Sequence, residues 1–284
     1  MESQNQRKGF VKGAFTRIIL GIFIIFLTFI LIQKFSVKIL EITTLDKNYR
    51  NLIKGIVASS SVLLVYYYFH QWYEKRKITE LSTNNFGKNL FLGIAIGFVL
   101  LCLTVLVIAL FGVFMILSVN SWSTMIIPFT VALSVAIFEE ILMRGIIFRI
   151  SEEKLGSVVA LAISSIVFAL LHITNPNGTV LSGLCVLVAG FLFGLAYIYK
   201  RNLWLPIAIH FSWNFMQSGI FGAVTSGNEK TSSLLTTKIS GNNLITGGLF
   251  GPEGSIQAVI FCLIASLLLY QMSKNNLIRP SWQK

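Results

Sequence analysis

Charge is what this sequence has least of. Only 12% of its 284 residues are Asp, Glu, Lys or Arg, and 55% are hydrophobic; a water-soluble domain carries about 25% charged residues. That deficit excludes an aqueous fold. Cysteine is scarce as well. Cys102, Cys185 and Cys262 lie far apart inside apolar runs, with no C-x-x-C pair, which excludes a disulfide framework and a thiolate metal site. No basic stripe interleaved with aromatics occurs, so the formal net charge of +12 does not indicate nucleic acid as a partner. The Lys and Arg fall instead in short segments between apolar blocks, the arrangement that sets the orientation of a membrane protein.

The apolar blocks are long enough to cross a hydrocarbon core, which takes roughly 20 helical residues. Within lipid every backbone amide must be satisfied inside its own segment, so such blocks must be helices. Hydropathy and turn signals predict an all-α, polytopic transmembrane bundle with eight spans. They lie at about 14–33, 51–70, 90–118, 124–149, 156–173, 179–199, 203–221 and 254–272. The third is overlong and is expected to tilt. The first follows Arg7, Lys8, Lys12 and Arg17 and lacks a small-residue cleavage site, so it reads as a retained helix rather than a leader. Gly93 and Gly97, and again Gly190 and Gly194, are small-xxx-small pairs that permit close helix contact. The chain divides into N-terminal spans (1–122), a core of four spans (123–221), a polar loop (222–253), and a last span with its tail (254–284). The Gly-, Ser-, Thr- and Asn-rich loop is long enough either to cap the bundle or to serve as a linker.

Orientation follows from the cations. With the N-terminus inside, the cytosolic segments hold Arg7, Lys8, Lys12, Arg17, Lys75, Arg76, Lys77, Lys88, Arg144, Arg149, Lys154, Lys200, Arg201, Lys274, Arg279 and Lys284, which is 16 of the 23 Lys and Arg. This predicts a multi-pass protein of the cell membrane with both termini cytosolic.

Ionisable groups deep in a span cost roughly 2.5–3.5 kcal/mol on insertion scales and mark functional sites. Of the eleven acidic residues, Glu139 and Glu140 are expected well inside a span, as are His172 and His210 among the three histidines; His70 ends its span and reads as interfacial. Glu140 and Arg144 are four apart, hence on one helix face in the favourable order for an ion pair. Glu139 points about 100° away and has no cation at i±3 or i±4. A carboxylate left without a cation in a low-dielectric site is suited to take up a proton, as a general base does. The bland reading is that both acids brace the bundle with Arg144. Phe168 lies one turn before His172, and His210 and Asn214 share a face. Measured along their helices from the cytosolic ends, Glu139 lies about 16 Å in, His172 about 22 Å and His210 about 13 Å, so tilted helices can bring them together.

The pattern resembles the CPBP intramembrane peptidases, the CAAX protease and bacteriocin-processing or Abi family. Its motif EExxxR reads EEILMR at Glu139–Arg144, FxxxH reads FALLH at Phe168–His172, and HxxxN reads HFSWN at His210–Asn214. The likeness covers about residues 123–220. It implies a helical endopeptidase whose site opens toward the cytosolic half and which cleaves membrane-associated or lipidated peptides. In such a protein Glu139 and His172 would activate water, His210 and Asn214 would donate to the oxyanion, and Glu140 and Arg144, with Phe168, would support them. Zinc is a second option, because Glu139, His172 and His210 could supply a two-histidine, one-carboxylate set. The compact H-E-x-x-H of helical zincins is absent. An alternative within the family is a non-catalytic immunity or regulatory protein that acts by binding a partner. A transporter reading lacks support, since no inverted repeat is visible.

Overall fold

The computed structural model describes residues 13–281; Arg7, Lys8, Lys12 and Lys284 lie outside them. Three long helices open the chain: α1 (Ala14–Glu41), α2 (Lys47–Tyr73) and α3 (Phe86–Leu110). The turn into α2 is capped by Asp46, whose carboxylate accepts the Asn48 N–H at 2.7 Å. Helices α4 (Ile126–Glu140) and α5 (Arg149–Ile173) are joined through Ile141–Phe148, a stretch of wide π-type turns. Next come α6 (Val180–Lys200), α7 (Trp204–Phe215, prolonged by a wide turn at Met216–Ile220), the one-turn α8 (Asn243–Thr246) and α9 (Ile256–Ser273).

Six segments of the described residues are long and apolar enough to cross a membrane. The eight expected spans appear as six such segments for two physical reasons. Trp122–Ile173 is one 52-residue helical segment, but at Gly156 the backbone turns to φ 75°, ψ 169°, a conformation open to glycine, and the chain doubles back. It therefore contains both the fourth and fifth expected spans. The seventh, α7, has 12 α-helical residues and five more in its wide turn, and its buried faces pack inside the bundle rather than against lipid.

One expectation is corrected outright. The apolar block 90–118 is not a single tilted helix. It ends as a helix at Leu110, Gly112 takes φ 71°, and Phe114–Val119 forms strand β1. β1 pairs antiparallel with β2 (Leu235–Ile239), from Phe114 opposite Ile239 to Val119 opposite Leu235, with an irregularity between Ile116 and Ser118. A short apolar run does not reveal by hydropathy whether it is strand or helix, and the strand's partner lies more than a hundred residues away in the polar loop.

Packing places the middle helices inside. α4 packs on α2 and α7, α7 on α3, α5 on α6, and α6 on α9. The expected close contact of Gly93 and Gly97 is with α7: a Cβ on Gly97 would stand 2.5 Å from the Ile209 carbonyl oxygen. Backbone thus presses on backbone beside His210. Large apolar side chains such as Phe15, Phe23 and Phe91 project outward, as a lipid-facing surface requires. The protein is a helical membrane protein.

The two ends of the bundle differ chemically. At one end Glu74 accepts from Arg17 at 2.9 Å, Arg149 at 3.0 Å and Arg76 at 2.8 Å, and Arg149 also reaches Glu153. His70, expected at the interface, is fully buried in this cluster, with Nδ1 3.1 Å from Glu74. Burial opposes ionisation of Glu74, yet His70, Arg17 and Arg149 together hold its carboxyl well below the ordinary value. Nearby, Arg201 binds Glu152 at 2.6 Å, and Asn276 after α9 donates to the Tyr199 carbonyl. The opposite end carries β1, β2 and the loop 221–255. The division into four stretches along the chain remains a reading of the sequence.

Candidate active site

Glu140 and Arg144 sit at the start of the wide turns, both fully buried and 2.9 Å apart. Arg144 also donates to the Gly190 carbonyl at 2.8 Å, and its guanidinium lies 5.1 Å from the Phe168 ring and 5.4 Å from the Phe193 ring. One cation therefore ties α4, α5 and α6 together. A wide turn also follows His210 and Asn214 on α7, so both polar pairs lie where an α-helix loosens.

The two histidines are oriented by bonds at Nδ1. His172 Nδ1 lies 2.9 Å from the Phe168 carbonyl. A carbonyl only accepts, so this nitrogen carries the proton and Nε2 is left facing the cavity. His210 Nδ1 lies 3.1 Å from Glu140 Oε1, and an ionised Glu140, paired with Arg144, again makes Nδ1 the donor. Both Nε2 atoms then approach one oxygen: Glu139 Oε2 lies 3.9 Å from His172 Nε2 and 3.7 Å from His210 Nε2. That oxygen is buried and has no hydrogen-bond partner among the described residues. The Phe168 ring packs on His172 at 4.4 Å, and Phe193 stacks on His210 at 4.8 Å, nearly parallel.

These groups border a cavity of about 400 Å³. It is walled by Pro128, Val131 and Val135 of α4 and the end of α5, with Asn214 and Ser218 at the back and Ala223–Thr231 above. Asn214 lines the cavity with the others. α4 packs on α2 and α7 while α5 packs on α6, and the cavity takes its lining from α4, the end of α5 and α7.

Residues 120–216 match the family model described as Rce1-like, type II CAAX prenyl endopeptidase. This stretch, about a third of the chain, is similar to the CAAX protease family. It runs from just before α4 through α7 and so contains all three motifs. No curated protein and no solved structure matches the chain. The family is one of CAAX-type intramembrane proteases.

Whether the residues fit zinc is a matter of donor chemistry and spacing. Two neutral imidazole nitrogens turned toward one carboxylate oxygen have the right chemistry. The spacing is open, however. Among the described residues no group of three or more His, Cys, Asp or Glu is drawn together closely enough to hold a metal ion.

Glu253 falls at the end of the polar loop 222–253, and its sequence position gave it no role. The loop folds back onto the bundle and leaves it half-buried. Its carboxylate accepts the Ser226 N–H and hydroxyl and the Trp213 Nε1–H. It borders a second chamber of about 40 Å³ that lies behind His172, His210 and Asn214 and is lined by Cys185, Val186 and Cys262 among others. Burial pushes the Glu253 carboxyl above its ordinary value, opposed by the Ser226 bonds. Nothing in its sequence neighbourhood, GPEGS, signals burial; only the fold of the loop does so. Phe193 was also missed, because an aromatic on α6 is indistinguishable by pattern from any other core residue.

Proposed function

We propose that this protein is an intramembrane endopeptidase that hydrolyses membrane-associated or lipidated peptides with a water activated by Glu139. The observation that carries this reading is the orphaned Glu139 Oε2 with the Nε2 atoms of His172 and His210 turned toward it. The separations of 3.7 and 3.9 Å are too long for direct hydrogen bonds and leave room for a bridging water.

The reaction follows from these positions. Glu139 takes a proton from the water while the water oxygen bonds to the scissile carbonyl carbon. His172, fixed through Nδ1, orients that water through Nε2. The carbonyl oxygen becomes an oxyanion that accepts from the Asn214 amide and from His210, whose Nε2 donates when the ring carries its second proton. The positive ring is then balanced by Glu140 at its other nitrogen. Collapse breaks the C–N bond, and the leaving amine takes the proton from Glu139. Donors of this kind contribute roughly 2.7–4 kcal/mol each to the transition state. The apolar wall of Pro128, Val131, Ala132 and Val135 suits an apolar or lipid-bearing substrate.

The test is cleavage of a panel of quenched fluorescent peptides, prenylated and membrane-helix in type, by detergent-purified wild type, His172→Ala and His210→Ala. The reading expects wild-type cleavage of at least one peptide and a fall of about 10²–10³ in turnover for each variant. Variants with wild-type turnover, or a folded wild type inert toward the whole panel, would contradict it and favour a partner-binding role.

A further inference from the structure

Two features from separate parts of the chain decide which face of the membrane the cavity serves. The first is its mouth. The polar residues around it, Asn175, Thr225, Asn228, Glu229 and Thr231, belong to the α5–α6 turn and the loop after α7. The α5–α6 turn is held to that loop, with Asn175 donating to the Ser226 carbonyl and Asn177 to that of Gly227. The cavity therefore opens at the end that carries β1 and β2.

The second feature is the cation distribution. The α2–α3 turn with Lys75, Arg76 and Lys77, Lys88 in the first turn of α3, Lys200 ending α6 with Arg201 after it, and Lys274 and Arg279 after α9 lie at the other end. Arg17 at the start of α1 and Arg149 join the same cluster. Lys and Arg in short loops set orientation, and their acidic neighbours contribute little to it, so the paired arginines count in full. That end is cytosolic on this rule, with α1 starting and α9 ending there.

Cytosolic termini and a cavity open to the cytosol therefore cannot both hold, because the termini of the described chain and the mouth are at opposite ends. The charge rule acts on the chain itself during insertion and takes precedence over family analogy. We infer that the cavity opens on the non-cytosolic face and that its substrate is a polypeptide segment lying on that side. Such a segment is one already carried across the membrane, or an outer juxtamembrane stretch of a membrane protein. The assignment of the face stands on topology alone; the word substrate rests on the proposed peptidase activity. β1 agrees with a position at the membrane surface, since Met115, Ile116, Leu117 and Val119 are exposed beside Trp122.

The experiment is thiol accessibility in intact cells. Asn228→Cys and Thr231→Cys at the mouth, and Lys77→Cys at the opposite end, replace exposed residues. Cys185 and Cys262 are buried and Cys102 lies in a span, so the parent chain supplies the background. A membrane-impermeant maleimide added to intact cells is expected to label both mouth variants. Lys77→Cys should label only after permeabilisation. The reverse pattern, or equal labelling of both ends, would overturn the inference. External labelling of the mouth in a protein that cleaves nothing would leave the topology standing and remove only the peptidase reading.

Discussion

Arg144→Met isolates the buried pair on which the site's geometry depends. The substitution keeps much of the side-chain volume but removes the cation from a place where neither it nor Glu140 touches solvent. Three interactions go at once: the 2.9 Å pair with Glu140, the 2.8 Å bond to the Gly190 carbonyl, and the contact with the Phe168 and Phe193 rings. Leaving one member of a buried pair without its partner costs about 3–5 kcal/mol. Replacing both members by neutral groups is far milder, and Glu140→Gln keeps an acceptor for His210. The double variant Glu140→Gln/Arg144→Met should therefore recover part of the loss, with an interaction energy of about 1–3 kcal/mol. The assay is thermal unfolding in detergent followed by tryptophan fluorescence, where Arg144→Met is expected to lower Tm by on the order of 10 °C. A single variant within about 1 kcal/mol of wild type, or strictly additive effects, would refute the claim that this pair braces the site.

Three further predictions concern protons and metal. Glu74 has a lowered carboxyl value in the fold, so its contribution to stability is present above the ordinary 4.5 and is lost as the pH falls below it; Glu74→Gln should flatten acid unfolding measured between pH 3 and 6 (roughly the carboxylate range). Glu253 has the opposite sign: its raised value means stability declines as pH rises above 4.5, and Glu253→Gln should remove that decline. For metal, purified protein dialysed against a strong zinc chelator is expected to keep its cleavage rate. Loss of activity restored by added zinc would show that Glu139, His172 and His210 close around an ion after all.

Much of the candidate site was legible because helical geometry alone sorts it. The four-residue spacing of Glu140 and Arg144 predicts their pair, and the absence of a cation near Glu139 predicts its isolation. Gly93 and Gly97 announce a close helix contact, although not that α7 is the partner. What escaped depends on contacts distant in sequence. β1 is apolar enough to pass for helix until β2 pairs with it. Glu253 looks solvated until the loop folds over the bundle, and His70 looks interfacial until Arg149 and Glu74 enclose it. The wide turns after Glu140 and Asn214 leave no compositional mark.

The central claim is that Glu139 does the chemistry while Glu140 supports it, and Glu139→Gln tests that claim most directly. The amide keeps the size and hydrogen-bonding capacity of the carboxylate but cannot take the water's proton. Binding and turnover should be measured on one peptide that wild type cleaves, with thermal unfolding confirming the fold. The account predicts wild-type peptide affinity with turnover reduced by about 10²–10⁴. A folded Glu139→Gln protein that turns over at the wild-type rate would contradict it.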